Sequence, residues 1–297
     1  MTARTLRTLG LFIATFSSGI GPVAAQGPAG HSLAPSMTAA TSAVAVTPSR
    51  AAVYRWLGRE TEIETFLRTA PITHMKDIPV GITKPQRAYF APGGPAGSMA
   101  WKPLREQVLH GKAESYRSEI AAYLLSRHLG LDMVPPVVER EIAGTKGAGV
   151  FWIDGVKPWD PSAPPKAPGA NWSTQTSRMF MFDQLIANID RNQGNLLYDE
   201  AGHLFLIDHS RAFTPRTSLA GLSTPQQFDR ALWARMASLT RADLDALLGP
   251  WLTRPQIAAV LSRRDEMRRL IDRRVRERGD TVTFLPDSGA APVAGSN

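Results

Sequence analysis

The chain has 297 residues and a formal net charge of +8, from 34 basic and 26 acidic side chains. It contains no cysteine, which excludes disulfides, thiolate catalysis and zinc–thiolate sites. Much of the basic excess lies in the last long helical segment and is not interleaved with aromatic residues, so nucleic-acid binding is not expected. The length suffices for one two-lobed domain that buries a full core.

The first 25 residues are typical of a secretory signal peptide. A short basic start precedes a mostly apolar run from Leu9 to Ile20, and small residues allow cleavage after Ala25. An uncleaved membrane anchor, the alternative, needs about 18 or more apolar residues, and polar residues interrupt this run too early. The sequence therefore predicts an exported protein without a stable membrane span. Residues 26–50 lack large apolar side chains and are predicted to be a disordered linker.

A helix and a β-meander are predicted next. Apolar residues at helical spacing predict a helix over Ala51–Thr69. Short extended runs predict strands over 87–91 and 99–104. The glycine-rich segment 92–98 is predicted to be a hairpin connection, because no helix N-terminus follows it to bind an anion.

A lysine and a glutamate from neighbouring elements are expected to pair. Lys102 lies on the predicted strand 99–104, and a lone lysine on a strand more often faces solvent. Glu119, on a helix predicted over Glu114–Gly130, adjoins the apolar stripe of that helix, so its carboxylate needs a cation. Glu114 is the rival partner, but glutamate is common in a first helical turn because it stabilises the helix dipole. We therefore expect an ion pair between Lys102 and Glu119.

Residues 179–208 are predicted to form a helix followed by a hairpin. Two short apolar runs, 196–198 and 204–207, are separated by Asp199-Glu-Ala-Gly202, which is a typical turn sequence. The preceding helix buries one apolar face, formed by Met179, Phe182, Leu185 and Ile186.

Three polar side chains mark the ends of these segments. Asp190, Asn195 and Asp208 would meet at the mouth of a cleft. Magnesium prefers hard oxygen ligands and usually takes one or two carboxylates together with phosphate oxygens. Asn195 and Asp208 would supply such ligands, and the third side chain could orient a hydroxyl. The alternative is that these residues belong to ordinary turns rich in Asp, Asn and Gly.

The remaining sequence predicts an excursion, helices and a tail. The proline-rich stretch 155–172 is predicted to connect two lobes. Helices are predicted over 225–239, 241–249 and 255–278, of which the last is strongly basic. Residues 285–297 are predicted to be disordered.

Several motifs resemble an atypical kinase group. The group includes the secretory-pathway (Golgi casein kinase-like) kinases, the HipA-type kinases, the actin–fragmin kinase and the phosphatidylinositol 3/4-kinases. The resemblance covers roughly residues 60 to 275 and is carried by YRSEIAAY at 116–123, LGLDMVPP at 129–136, NIDRNQGN at 188–195 and LIDHSRAF at 206–213.

The resemblance implies a role for each of these polar residues. Lys102 would bind the phosphates of ATP and pair with Glu119. Asp190 would act as the base, and Asn195 and Asp208 would hold Mg²⁺ or Mn²⁺. The chain departs from the protein-kinase pattern in two respects, because it has no multi-glycine phosphate loop and has a serine instead of glycine two residues after Asp208.

Further nucleotide contacts are expected from the N-terminal half. A turn containing Gly81, Thr83 and Lys84 is the best candidate for covering the nucleotide beside Lys102. Trp152, on a strand predicted over 150–154, is expected near an adenine pocket, with ordinary core packing as the alternative.

Together these features predict an α+β, two-lobed protein-kinase-like fold, with a mainly-β N-lobe over 51–154 and a mainly-α C-lobe over 173–284. The expected activity is transfer of the ATP γ-phosphoryl group to a hydroxyl on a protein, lipid or glycan outside the cytoplasm. One alternative is a catalytically inactive pseudokinase that binds a nucleotide or partner. Another is transfer of AMP instead of phosphate.

Overall fold

A computed structural model of the chain describes residues 56–79, 85–109, 112–160, 162 and 171–286. The predictions for the signal peptide, the linker over 26–50, and the turn containing Gly81, Thr83 and Lys84 fall outside these ranges. So do residues 161 and 163–170 of the proline-rich stretch and residues 287–297 of the predicted tail.

The N-terminal part of the described chain is built on an antiparallel five-stranded sheet. Its strands lie in the order β1–β2–β3–β7–β6, and their bounds are β1 (Ile72–Asp77), β2 (Gln86–Phe90), β3 (Ser98–Lys102), β6 (Val137–Ile142) and β7 (Thr145–Phe151). The glycine-rich segment predicted to be a hairpin connection does join β2 to β3, which pair antiparallel. A small separate hairpin consists of β4 (Gln107–Leu109) and β5 (Lys112–Glu114).

Each face of this sheet packs against a different helix. Met99, Trp101 and Phe151 belong to a core with α1 (Glu60–Thr69). Ala148 and Val150 belong to a second, larger core with α2 (Tyr116–His128), and Ala100 packs against it. Because side chains alternate along a strand, Lys102 lies on the same face of β3 as Ala100 and therefore on the side of α2.

Helix α1 is shorter than predicted. It begins at Glu60, whereas a start at Ala51 was expected. Residues 56–58 form a turn in which Gly58 has a φ of +77°, a left-handed conformation that cannot continue a helix. Trp56 is nevertheless buried, as edge-to-face contacts with Phe151 and Phe205 show.

Helix α2 begins later than predicted, at Tyr116. Ser115 is its N-cap and accepts a hydrogen bond from the backbone N–H of Arg117 at 3.2 Å. Glu114 is thus the last residue of β5 and does not lie in the first helical turn, which corrects the prediction. It is 2% exposed, so it cannot serve as a solvated dipole-stabilising residue.

The C-terminal part of the described chain is mainly helical. Helix α3 (Trp172–Ile186) buries the predicted apolar face and ends at Ala187, whose φ is +50°. A 3₁₀ turn (Gln193–Asn195) leads into β9 (Leu196–Tyr198) and β10 (Leu204–Leu206), which form the predicted hairpin. Strand β8 (Lys157–Pro158) adds to β9 and joins the two halves of the described chain.

Four helices complete the fold: α4 (Arg230–Ala237), α5 (Arg241–Leu248), α6 (Arg254–Arg278) and α7 (Asp280–Thr283). The second and third agree closely with the predicted segments. Helix α4 was predicted from residue 225 but begins after Asp229, which caps it, because Phe228 bridges to Phe284 in an extended conformation. Among the described residues, no helix combines the length and apolarity needed to cross a membrane.

Candidate active site

Three charged side chains from separate elements meet between the sheet and the helices. The Nζ atom of Lys102, at the end of β3, lies 2.6 Å from Oε1 of Glu119 on α2. The same Nζ lies 3.0 Å from Oδ1 of Asp208, two residues after β10. The ion pair expected between Lys102 and Glu119 is therefore formed, and it extends to Asp208.

The Lys102–Glu119 pair keeps its charges in a buried environment. Burial by itself would lower the pKa of Lys102, but the carboxylates of Glu119 and Asp208 raise it above its ordinary value. Burial would likewise raise the pKa of Glu119, but Lys102 and His209 lower it below its ordinary value. Both members of the pair are therefore charged at neutral pH.

Asp208 has a strained backbone and an accessible carboxylate. Its φ is +60°, a left-handed conformation that Asp adopts more readily than most residues other than glycine. Its Oδ1 also accepts a hydrogen bond from the hydroxyl of Ser210 at 3.1 Å. The side chain is 41% exposed, so the carboxylate remains open to a ligand in the cleft.

The loop after α3 brings Asn195 beside Asp208. The backbone oxygen of Asn195 accepts from the N–H of Ile207 at 3.2 Å. Its side-chain Nδ2 donates to the backbone oxygen of Asp190 at 3.1 Å, an assignment that leaves the amide oxygen as an acceptor. Hydrogen bonds thus link Asn195 to Asp190 on one side and to the residue before Asp208 on the other.

Arg191 connects this backbone to the helical core. Its guanidinium binds both carboxylate oxygens of Asp183 on α3, at 2.8 and 3.0 Å. One of its terminal nitrogens donates to the backbone oxygens of Asn195 and Ile207, at 2.9 Å each. Both members of the pair with Asp183 are about nine-tenths buried. Arg191 therefore holds the backbone at Asn195 and immediately before Asp208, the two predicted metal ligands.

The side chain of Asp190 is held by a second arginine. Arg211 donates from one terminal nitrogen to Oδ2 of Asp190 at 2.9 Å, and its other nitrogens contact Glu114. Burial alone would lower the pKa of Arg211, but Glu114 and Asp190 raise it. The predicted base is therefore ion-paired and 27% exposed.

Trp152 lies immediately after β7 and contacts β2 and β3. Its backbone N–H donates to the oxygen of Ser98 at 3.3 Å. The guanidinium carbon of Arg87 lies 4.0 Å from the centre of its ring, and Arg87 also forms an ion pair with Asp154 at 3.1 Å. The ring is half-buried and covered by a cation, which the sequence interpretation did not foresee.

Sequence reasoning also missed Arg191, His209 and Arg211. All three lie within the two motifs that drew attention to the site, next to the acidic residues. Their partners Asp183 and Glu114 lie outside those motifs, so spacing along the chain carried no signal for these contacts.

The donor set fits a hard divalent metal better than zinc. Asp208 offers a carboxylate and Asn195 an amide oxygen, and the charged group that contacts the carboxylate is a lysine. Among the described residues, no group of three or more His, Cys, Asp or Glu side chains could hold a metal. A cation bound by Asp208 and Asn195 would therefore need further oxygen ligands, which a phosphate can supply.

A family model described as phosphatidylinositol 3- and 4-kinase matches residues 161–237. This match includes Asp190, Asn195 and Asp208. A comparison of the sequence with curated proteins finds no match.

Solved structures resemble a larger part of the chain. Hydra Fam20 with sugar superimposes with a TM-score of 0.63 at 18% identity, over 77% of this chain and 92% of that one. The Golgi casein kinase with Mn/ADP bound gives a TM-score of 0.60 at 16% identity, over 76% of this chain and 78% of that one. The chain therefore has an α+β, atypical kinase-like fold.

Proposed function

We propose that the protein is an ATP-dependent phosphotransferase that transfers the γ-phosphoryl group to a hydroxyl. The observation that carries the proposal is the contact of Lys102 with both Glu119 and Asp208. These residues come from three separate segments, and a fold needs no buried lysine shared by two acids for stability alone, since replacing such pairs by apolar residues is often neutral or stabilising.

The proposal gives ATP a defined set of protein contacts. Lys102, oriented by Glu119, would bind phosphate oxygens. Gly81, Thr83 and Lys84 are proposed to cover the phosphates, and Trp152 is proposed to lie beside the adenine. Asp190 would orient the acceptor hydroxyl and receive its proton as the oxygen–phosphorus bond forms and the bond to ADP breaks.

Asn195 and Asp208 are proposed to hold Mg²⁺ or Mn²⁺. Their oxygen donors and the exposure of Asp208 support this assignment, as does the Mn/ADP bound to the Golgi casein kinase. When bound, such a cation neutralises charge on the phosphates. The protein itself would contribute mainly positioning, because phosphoryl transfer asks for little covalent chemistry from the enzyme.

The acceptor and its location complete the proposal. We propose that the protein is exported and acts on a protein, lipid or glycan hydroxyl outside the cytoplasm. The predicted signal peptide supports export. The names of the two similar structures, a casein kinase and a Fam20 bound to sugar, support protein and glycan acceptors.

A nucleotide-binding pseudokinase is the second candidate. A pseudokinase would keep the Asp190–Arg211 ion pair for structure alone, whereas a phosphotransferase would use it to hold the base. The two candidates differ in turnover and agree in nucleotide binding.

The test uses the purified protein with γ-labelled ATP, Mg²⁺ or Mn²⁺, and casein, glycan and lipid acceptors. Wild type should label at least one acceptor, and Asp190→Asn should lower kcat on the order of 10²–10⁴-fold, the usual contribution of a general base. Asp245→Asn, on the exposed face of α5, should retain wild-type kcat and serves as the control. Equal rates for Asp190→Asn and wild type would refute the role of Asp190. Binding of Mg-ATP without transfer would favour the pseudokinase.

A further inference from the structure

Four consecutive residues after Asp208 contact the first turn of α2 or the two residues that precede this helix. Each of the four residues makes one contact, and hydrogen bonds are donated from both sides. They are His209 N–H to Glu119 Oε2 at 3.0 Å, Ser115 N–H to Ser210 O at 2.9 Å, Arg211 to Glu114, and Ser118 Oγ to Ala212 O at 3.2 Å. Residues 209–212 are therefore tied to the chain around the start of α2 by one contact each.

Arg211 differs from the other three because it also reaches the proposed base. Its side chain is 13% exposed and lies between two carboxylates, those of Glu114 and Asp190. Glu114 precedes α2 by one residue beyond the cap, whereas Asp190 belongs to the loop after α3. A single guanidinium therefore bridges the end of β5, next to the cap of the helix that carries Glu119, and the loop that carries the base.

The two carboxylates hold Arg211 with unequal strength. Glu114 is 2% exposed, and its Oε2 is buried without a hydrogen-bond partner. Removing Arg211 would therefore leave a buried charge unpaired. Asp190 is 27% exposed, so water can replace part of its contact with Arg211. The position of the guanidinium is thus set mainly by its buried pair with Glu114, and from there it contacts Asp190.

We propose that Arg211 is a positioning residue, which orients the Asp190 carboxylate according to the position of α2. This inference rests on the proposed function, because it assigns Asp190 the role of base. The same placement of α2 that forms the Lys102–Glu119 pair would then also set Asp190, so both halves of the site assemble together.

A purely structural role for Arg211 makes a different prediction. If Arg211 only neutralises Glu114, then removing both charges should restore the protein completely. If Arg211 also positions Asp190, the double replacement should restore folding but not turnover.

The first test compares Arg211→Met with the double variant Glu114→Met/Arg211→Met. The single variant should lower both the melting temperature and kcat. The double variant should recover most of the melting temperature, because an apolar pair replaces a buried ion pair, while kcat stays at least tenfold low on the scale expected for misplaced catalytic groups. The KM for ATP should remain within about twofold of wild type, since Arg211 contacts no proposed nucleotide ligand. Arg216→Met, which changes an exposed arginine five residues after Arg211, should match wild type. Recovery of kcat in the double variant would overturn the inference.

The second test needs no turnover and therefore separates this inference from the proposed function. Glu114→Gln and Asp190→Asn are combined in a double-mutant cycle read by melting temperature. With Arg211 present, the two shifts should fail to add by about 2–4 °C. In the Arg211→Met background they should add. Additive shifts in the presence of Arg211 would refute the coupling, whether or not wild type transfers phosphate. A wild type that shows the coupling but transfers no phosphate would instead refute the proposed function.

Discussion

Arg191 and His209 share a buried hydrogen bond, in which a guanidinium nitrogen lies 2.9 Å from Nε2 of the imidazole. Arginine can only donate, so Nε2 must accept and the proton of the neutral ring lies on Nδ1. That nitrogen lies 3.8 Å from Oε2 of Glu119. A chain of polar contacts thus runs from Asp183 through Arg191 and His209 to Glu119.

The tautomer of His209 predicts a pH dependence of stability. Burial lowers the pKa of His209 below its ordinary 6.5; Glu119 opposes this and the charge of Arg191 reinforces it. The unfolded chain therefore binds a proton that the folded chain resists. The stability due to neutral His209 is complete above about pH 6.5 and is lost as pH falls through that value.

The measurement is the melting temperature of wild type and His209→Gln between pH 7.5 and 5. Wild type should lose stability over this range more steeply than the variant, in which an amide oxygen can accept from Arg191 at any pH. The range lies above the acid region in which Glu119 titrates, so that carboxyl does not contribute. Equal slopes for the two proteins would contradict the assignment of the neutral ring.

Replacing Arg191 should damage both stability and nucleotide binding. Arg191→Met removes the buried pair with Asp183 and the donors to the backbone of Asn195 and Ile207. Breaking a buried pair on one side typically costs about 3–5 kcal/mol of unfolding free energy, which urea denaturation can measure. The thermal shift caused by Mg-ATP should also shrink, because the ligand-bearing backbone loses its support.

The control for this variant is Arg241→Met. Arg241 also pairs with an aspartate, Asp245, but on the exposed face of α5. Its replacement should leave the free energy of unfolding and the Mg-ATP shift nearly unchanged. Comparable losses in both variants would indicate that the buried contacts of Arg191 contribute no more to stability or nucleotide binding than an exposed ion pair does.

The candidate site residues could be picked out from the sequence because they lie at short spacings along the chain. Asp190, Asn195 and Asp208 lie within one helix–loop–hairpin unit, and the apolar runs on either side fix where each falls. Lys102 and Glu119 could be paired because a strand and the following helix pack on each other. In each case the sequence distance is short and the hydrophobic pattern sets the face.

The supporting contacts could not be predicted for a physical reason. The partners of Arg191 and Arg211 are chosen by packing between elements, and sequence spacing says nothing about which carboxylate a long flexible side chain reaches. Glu114 was misplaced because Ser115 offers a better N-cap, which shifts the helix start by two residues and turns Glu114 into the core. The helix propensities of these residues allow the helix to start at either Glu114 or Tyr116.

Removing Lys102 should destabilise the fold, because it leaves a buried carboxylate without a cation. Lys102→Met leaves Glu119, which is 2% exposed, without its cation. We expect the free energy of unfolding at neutral pH to fall by about 3–5 kcal/mol. Lys102→Met/Glu119→Met should regain most of this loss in urea denaturation and still transfer no phosphate. If the single variant is as stable as wild type, the pair carries little of the fold's energy.

Chelation should separate metal-dependent from metal-independent nucleotide binding. If Asp208 and Asn195 hold the cation that accompanies ATP, then Mg-ATP at about 100 times its Kd should stabilise wild type by about 2.7 kcal/mol. For a protein of this size that corresponds to a rise in melting temperature of about 5–10 °C. EDTA should abolish most of the rise, because the phosphates would then face the Asp208 carboxylate without a cation between them. Asp208→Asn should show a reduced rise with Mg²⁺ present, while Asp245→Asn should behave as wild type. A full rise in the presence of EDTA would show that the nucleotide binds without the metal and would remove the proposed role of Asp208.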